Sequence, residues 1–98
     1  MLAGFEFHPE AEEEFDAGIV WYADHSEDAA EHFVETTFAA IRTVQEFPGA
    51  GSSGLYGTRR YPIRAFPFHL VYREQDPRLQ VIAVAHTSRK PGYWRKRL

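Results

Sequence analysis

Positively charged and aromatic side chains are concentrated in the second half of the chain. Arg60, Arg64, His69 and Arg73 lie in segments where apolar and polar residues alternate, so several of them can share one face of a sheet. Cations interleaved with aromatic rings suit the binding of RNA, DNA or an acidic peptide. The pattern therefore predicts a partner-binding surface, with the alternative that Tyr93 and Trp94 cap the core and the cations only keep the chain soluble. Its candidate residues are Arg60, Arg64, Arg73, His86, Arg89, Tyr93, Trp94 and Arg95.

Other kinds of reactive site have less support in the sequence. The chain has no cysteine, which excludes disulfides and thiolate nucleophiles. Its five histidines show no spacing that brings two rings onto one ion, so we expect no metal and no cofactor. The glycines between residues 49 and 57 are not followed by the Gly-Lys-Ser/Thr of a phosphate-binding loop. Glu12, Glu13 and Glu14 point in different directions around a predicted helix, and we interpret them as a solvated face.

Charge is distributed unevenly along the chain. The net charge is only −3, but residues 1–47 hold twelve acidic side chains against Arg42 alone, and residues 48–98 hold ten basic side chains against two acidic ones. Either the two halves neutralise each other across the fold, or the basic half binds an anionic partner. A sequence pI of about 5.9 argues against general affinity for nucleic acid, because phosphate contacts need surplus cations.

A short strand and two helices are predicted in the first half. The segment from Leu2 to Phe7 has the composition of a strand. Pro9 suits the first turn of a helix, and the spacing of apolar residues extends this helix to about His25. Ser26 is a good N-cap for a second helix, which Pro48 ends.

The second half changes to strand periodicity. The segment from Pro48 to Gly57 is rich in glycine and serine and predicts a mobile loop. Alternation then predicts three strands: Pro62 puts the first at an edge or a bulge, and the last, from Leu79 to Ala85, is expected to be central and buried on both faces. The order β-α-α-β-β-β predicts an α+β fold, with a helical hairpin on one face of a mainly antiparallel sheet in a single domain over residues 1–98.

No export signal and no apolar run long enough to span a bilayer is visible in the sequence. We therefore expect a cytoplasmic protein with no membrane partner.

Two sequence segments add to the order of elements. Each of them contains alternating strand residues and a turn proline at a fixed spacing. One segment is Arg60-Tyr61-Pro62-Ile63-Arg64 followed by Phe66-Pro67-Phe68-His69-Leu70-Val71-Tyr72, and the other runs from Val81 to His86 and continues with Arg89, Pro91 and Tyr93. In these features the chain resembles toxins of the RelE/ParE family over nearly its whole length. The resemblance implies a growth inhibitor from a type II toxin-antitoxin system, of the ParE-like kind that stabilises plasmids. It also implies a cognate antitoxin as partner in a toxin–antitoxin hetero-oligomer.

The resemblance leaves the target open. ParE-like members bind and poison DNA gyrase, whereas RelE-like members cut mRNA on the ribosome with lysines, arginines and a late tyrosine. Carried over position by position, the nuclease set in this chain is Arg60, His69 and Tyr93, with His69 in place of an arginine. Pro62 and Thr87 stand where such nucleases carry further cations. We therefore favour the gyrase-binding interpretation, with the ribosome-dependent endonuclease and a non-toxic, antitoxin-binding relic as alternatives.

The antitoxin of such a toxin is expected to wrap an extended, partly disordered segment around it. We expect that segment to be acidic and partly apolar, because the basic half also carries Tyr93 and Trp94, which we predict to be exposed. It should cover the sheet and the C-terminal residues.

Overall fold

The computed structural model describes residues 2–98, which form two helices and a five-stranded sheet. The helices are α1 (Pro9–Ala23) and α2 (Glu27–Glu46), and the strands are β1 (Phe5–Phe7), β2 (Ser52–Ser53), β3 (Arg59–Ile63), β4 (Phe68–Gln75) and β5 (Arg78–His86). The predicted α+β fold and order of elements are confirmed, with the two-residue β2 added between α2 and β3. Neither of the two helices in this part of the chain combines the length and the apolar character needed to cross a membrane.

The two helices begin at local capping interactions. The His8 side chain accepts a hydrogen bond from the backbone N–H of Glu10 at 3.1 Å, and Pro9 follows in the first turn of α1, where its missing N–H costs nothing. Ser26 accepts from the N–H of Ala29 at 3.3 Å at the start of α2, as the N-cap prediction required. Helix α2 ends at Glu46, two residues before Pro48.

The sheet has the order β1-β5-β4-β3-β2. Strand β1 runs parallel to β5, and the other neighbours are antiparallel. Strand β5 is therefore internal, and its side chains from Val81 to Ala85 are all buried, which confirms the predicted central strand. Strand β2 pairs only with Arg59 and Arg60 of β3. Pro62, which has no N–H to donate, therefore lies where β3 has no neighbouring strand on the side away from β4.

The segment from residue 48 to residue 57 was predicted to be a mobile loop, whereas the structure shows the strand β2 between two short helical turns there. Strand β2 pairs with the start of β3, and the Tyr72 hydroxyl fastens the segment by accepting from the Gly51 N–H at 2.9 Å and donating to the Pro48 carbonyl at 2.7 Å. Arg59 also donates to the Gly51 carbonyl at 2.8 Å. A Cβ at Gly51 would lie 2.6 Å from the Tyr72 hydroxyl, so this glycine permits a close approach.

The sheet separates two clusters of buried side chains. Both helices cover one face, where Phe33, Ile41, Leu70 and Tyr72 are among the buried residues. The opposite face, which we call the outer face, carries the smaller cluster of Val71, Ile82, Ala83, Ala85 and Trp94. The C-terminal segment, residues 87–98, supplies the tryptophan that covers this second cluster.

Candidate binding cleft at the outer face

An open cleft of about 440 Å³ lies where β3, β4 and β5 meet the C-terminal segment and the turn after β2. Its wall contains six of the residues that the sequence singled out: Arg60, His69, His86, Arg89, Tyr93 and Trp94. Lys90 adds another cation, and none of the residues that line the cleft in the described part of the chain is acidic. The strand register explains part of this convergence, because Arg60 pairs with Val71 and His69 with Ala85, all on the outer face.

Three of the candidate residues lie outside the cleft. Arg64 is exposed in the turn that follows β3. Arg73 lies further along β4 and donates to the side chain of Gln80 at 2.9 Å. The guanidinium of Arg95 lies over the ring of Tyr56, 4.8 Å from its centroid.

His69 and His86 meet different surroundings in the cleft. Burial lowers the pKa of His69, and the positive charge of Arg60 lowers it further. His69 is therefore held in its neutral form near pH 7. In His86, by contrast, the ring Nδ1 accepts a hydrogen bond from the Ser88 N–H at 3.0 Å, which leaves its Nε2 as the proton-bearing nitrogen of the neutral ring.

Tyr93 is fixed by a polar network that reaches back to α1. Its hydroxyl donates to Glu14 Oε2 at 2.5 Å. Arg97 donates to both oxygens of the same carboxylate, at 2.7 and 3.1 Å, and to the Ile82 carbonyl at 3.0 Å. The Val84 N–H completes the set by donating to Glu14 Oε1 at 3.1 Å.

Glu14 was predicted to belong to a solvated face, and that interpretation is wrong. Only 18% of its side chain is exposed, and Arg97, its ion-pair partner, is 10% exposed. The sequence gives no local signal for this network, because Glu14 lies 79 residues before Tyr93 and 83 residues before Arg97. Glu14 and Arg97 are the site residues that the sequence analysis missed.

The network also changes the acidity of Tyr93. Burial raises the pKa of the Tyr93 hydroxyl, and the hydrogen bond and charge of Glu14 raise it further, against the opposing charges of Arg97 and Arg89. The guanidinium of Arg89 lies over the ring of Tyr93 at 3.9 Å from its centroid. Tyr93 thus presents a ring face and a stacked cation to the cleft, while its proton is held by Glu14.

Trp94 is buried, so the prediction that it is exposed is wrong and the alternative, that it caps the core, is confirmed. Only 6% of it is accessible, because the small side chains of Ala83 and Ala85 leave room for the indole on the outer face of the sheet. Tyr93 packs beside it and is partly exposed. Trp94 therefore lines the cleft as a buried side chain and not as an exposed ring.

A second depression of about 410 Å³, which we call the apolar groove, adjoins the cleft and was not predicted. Helix α1 contributes Glu14, Ala17, Gly18, Trp21 and Tyr22, and the sheet contributes Phe68 and Val84. Trp21 is 58% exposed, which is unusual for the largest apolar side chain. The small residues at positions 17 and 18, one turn before Trp21, were the available signal.

No group of three or more His, Cys, Asp or Glu side chains that could hold a metal ion occurs within residues 2–98.

Comparisons with known proteins identify the family. No curated protein sequence matches the chain. The family model described as the ParE toxin of the type II toxin-antitoxin system parDE matches residues 5–91. This range contains both helices, all five strands, and Arg60, His69, His86 and Arg89 of the cleft. The chain therefore belongs to the ParE toxin family of type II toxin-antitoxin systems.

Proposed function

We propose that the protein arrests growth by binding DNA gyrase without catalysing a reaction of its own, and that a cognate antitoxin neutralises it. Membership of the ParE toxin family supports the toxin role. Within the site, the engagement of the Tyr93 hydroxyl by Glu14 carries the argument for a non-catalytic mode of action. The cationic cleft then serves to hold a partner.

Cleavage of RNA at a ribose 2′-OH needs a base for that hydroxyl and an acid for the leaving 5′-oxygen. In the nuclease alternative the late tyrosine, Tyr93, belongs to the reacting set. Its proton is instead donated to a carboxylate on α1, and its raised pKa makes it a weaker acid than free tyrosine. Tyr93 is therefore poorly suited to exchange a proton with a substrate in the cleft.

The other two residues of the nuclease set, Arg60 and His69, do not supply the missing acid. His69 is neutral near pH 7 because its pKa is lowered, so it can accept a proton but has none to spare as an imidazolium. Thr87 lines the cleft and Pro62 pairs with His69, and neither supplies the positive charge that developing negative charge on phosphorus needs. Arg60 and His69 still share one cleft, and this juxtaposition keeps the ribosome-dependent endonuclease as the second candidate.

The proposal is tested with purified protein and purified gyrase. Supercoiling of relaxed plasmid should fall as the protein is added, and heat-denatured protein should have no effect. In bacteria, induction should halt growth and trigger the DNA-damage response. Unaltered supercoiling together with codon-linked cuts in ribosome-bound message would favour the endonuclease. Normal growth with soluble, full-length protein would favour the non-toxic relic.

A further inference from the structure

The turn that joins β2 to β3 has a left-handed backbone. The Thr58 N–H donates to the Leu55 carbonyl at 3.1 Å, and between these two residues Tyr56 has a φ of 57° and Gly57 a φ of 76°. Positive φ at both central residues is the mark of a type I′ hairpin turn, in which Asn or Asp followed by Gly is preferred. Gly57 meets this requirement at no cost, whereas a bulky tyrosine is strained there.

The C-terminal segment holds this strained turn in place. The ring of Tyr56 meets that of Trp94 edge to face, with 6.1 Å between centroids, and the guanidinium of Arg95 lies over the tyrosine ring. Gly92 approaches so closely that a Cβ there would lie 3.2 Å from the side chain of Leu55 and 3.4 Å from that of Tyr56. Strained residues persist only where their surroundings fix them, so the turn is a preformed feature of the folded protein.

These contacts leave the tip of the turn exposed. Leu55 is 47% exposed and Tyr56 is 52% exposed, at the border of the cleft that Leu55 also lines. The fold therefore carries the strain of a left-handed tyrosine without burying its ring, although an asparagine at the same position would suit the turn better. A residue that breaks a local rule and gains little burial is typical of a functional position.

The surroundings of the tip are mainly cationic. Arg95 and Lys96 are exposed on the C-terminal segment. Next to the tyrosine ring, a depression of about 350 Å³ is lined by Arg59 and Arg73 together with Glu74. Within residues 2–98 none of these cations forms an ion pair. The turn is therefore an aromatic and aliphatic projection within a surface of predominantly positive charge.

We propose that the turn tip, Leu55–Gly57, contacts the protein target of the toxin, and that the ring of Tyr56 enters an apolar pocket on that target whose rim is acidic. The inference rests on the proposed function for the claim that the protein acts by binding, and it adds the residue that makes the contact. Tyrosine and arginine are the residue types most enriched in binding hot spots, and here Arg95 lies over the ring of Tyr56. The surrounding cations select the acidic rim by charge complementarity. The aliphatic side chain of Leu55 and the carboxylate of Glu74 favour a protein over a nucleic acid.

The variant Tyr56→Asn separates the ring from the turn, because Asn-Gly is the pair that a type I′ turn prefers. With purified full-length protein and gyrase, the concentration that halves supercoiling should rise by about tenfold or more. Relief of strain opposes the lost contact with Trp94, so the urea midpoint should stay close to that of the parent. Tyr56→Phe keeps the ring and should stay within about threefold of the parent. Phe47→Asn removes an exposed ring at the end of α2 and is the matched control, which should inhibit as the parent does.

The variant Arg95→Glu tests the charge beside the ring and leaves the sequence of the turn unchanged. It should weaken binding to immobilised gyrase by about three- to tenfold at low salt, with a smaller effect at high salt. Arg42→Glu, exposed on α2, makes the same change of charge elsewhere and should bind as the parent does. If Tyr56→Asn lowers the urea midpoint, this second pair of variants decides the inference.

Unchanged inhibition by a folded Tyr56→Asn, unchanged binding by Arg95→Glu, or an equal loss in either control would overturn the inference. Binding of a short DNA duplex in the absence of gyrase that Tyr56→Asn abolishes would assign the tip to nucleic acid and also overturn it. If the parent leaves gyrase unaffected but arrests growth in bacteria, the proposed function fails and growth arrest decides the inference. Tyr56→Asn at the same soluble level should then lose the arrest, and full arrest would overturn the inference. A parent that neither inhibits gyrase nor arrests growth would overturn both.

Discussion

The two faces of the sheet are covered in different ways. On one face α1 and α2 bury a continuous aromatic and aliphatic cluster, in which the ring of Phe33 lies 5.7 Å from Phe15 and 5.2 Å from Phe68. On the outer face a smaller cluster is covered by one large side chain, Trp94 of the C-terminal segment. The polar contacts of Tyr93 and Arg97 also hold that segment to the rest of the protein.

This difference separates stability from binding. Buried apolar area supplies most of the free energy of folding, and the helix-covered face has far more of it. The thinly covered outer face leaves room for an open cleft whose cations have no internal partners. The Glu14 network joins the two regions, because a carboxylate from the helix side holds the residues that border the cleft.

The largest effect on stability is expected from disrupting the Glu14 network. Glu14→Gln removes the negative charge that compensates the largely buried Arg97, and we expect it to lower the free energy of unfolding by about 2 kcal/mol. Urea denaturation measures the change, and in a Trp21→Phe background the fluorescence of Trp94 reports whether the C-terminal segment is displaced. The exposed neighbour Glu13→Gln is the control and should change stability by less than about 0.5 kcal/mol. Equal effects of the two substitutions would show that the network does not hold the segment.

A smaller gain in stability is expected inside the helix-covered face. Thr37 on α2 is fully buried, and its hydroxyl is the one buried side-chain polar atom without a hydrogen-bond partner among residues 2–98. Thr37→Val replaces the hydroxyl with a methyl group of similar size and should raise the free energy of unfolding by about 1 kcal/mol.

The matched control for this gain is Thr43→Val. The Thr43 hydroxyl donates to the Ala39 carbonyl at 3.0 Å, so the same substitution there should give no gain. Urea midpoints of the two variants and the parent decide the comparison. A loss of stability in Thr37→Val would mean that the hydroxyl is satisfied in solution.

The smallest expected effect on stability is a pH dependence caused by His69 on the outer face. Burial and the charge of Arg60 lower the pKa of His69 below its ordinary 6.5, so the folded protein favours the neutral ring. The unfolded chain then binds more protons below about pH 6.5, and the contribution of His69 to stability should decline as the pH falls through that range.

His69→Gln should remove this part of the pH dependence. The measurement is the difference in unfolding free energy between about pH 7.5 and about pH 5.5, compared for the parent and the variant. An NMR titration of the His69 ring provides a direct check. A midpoint above that of an unstructured histidine would contradict the placement of His69 beside an uncompensated Arg60.

Local patterns predicted the parts of the fold that local interactions stabilise. The N-cap at Ser26 and the buried run of β5 were correct because capping and apolar periodicity act over a few residues. Residues 48–57 were not correctly predicted, because their anchor is the hydroxyl of Tyr72, more than twenty residues along the chain from Gly51. One of their glycines, Gly51, permits a close approach to that hydroxyl.

The candidate site was predictable only in part for the same reason. Alternation along β3 and β4 brought Arg60 and His69 to one face, as expected from strand geometry. The burial of Trp94 depends on small side chains of β5, and the role of Glu14 depends on partners about 80 residues away. Such pairings are set by tertiary packing, which residue spacing does not contain.

The central claim is that the protein inhibits growth by binding and not by acid–base catalysis, and expression of the His69→Gln variant in bacteria tests it most directly. Glutamine keeps a neutral polar side chain in the cleft but cannot exchange a proton near pH 7. We predict that the variant arrests growth as strongly as the parent when both are expressed at the same soluble level. Loss of growth arrest in a folded, equally abundant His69→Gln variant that still binds purified gyrase as the parent does would contradict the account.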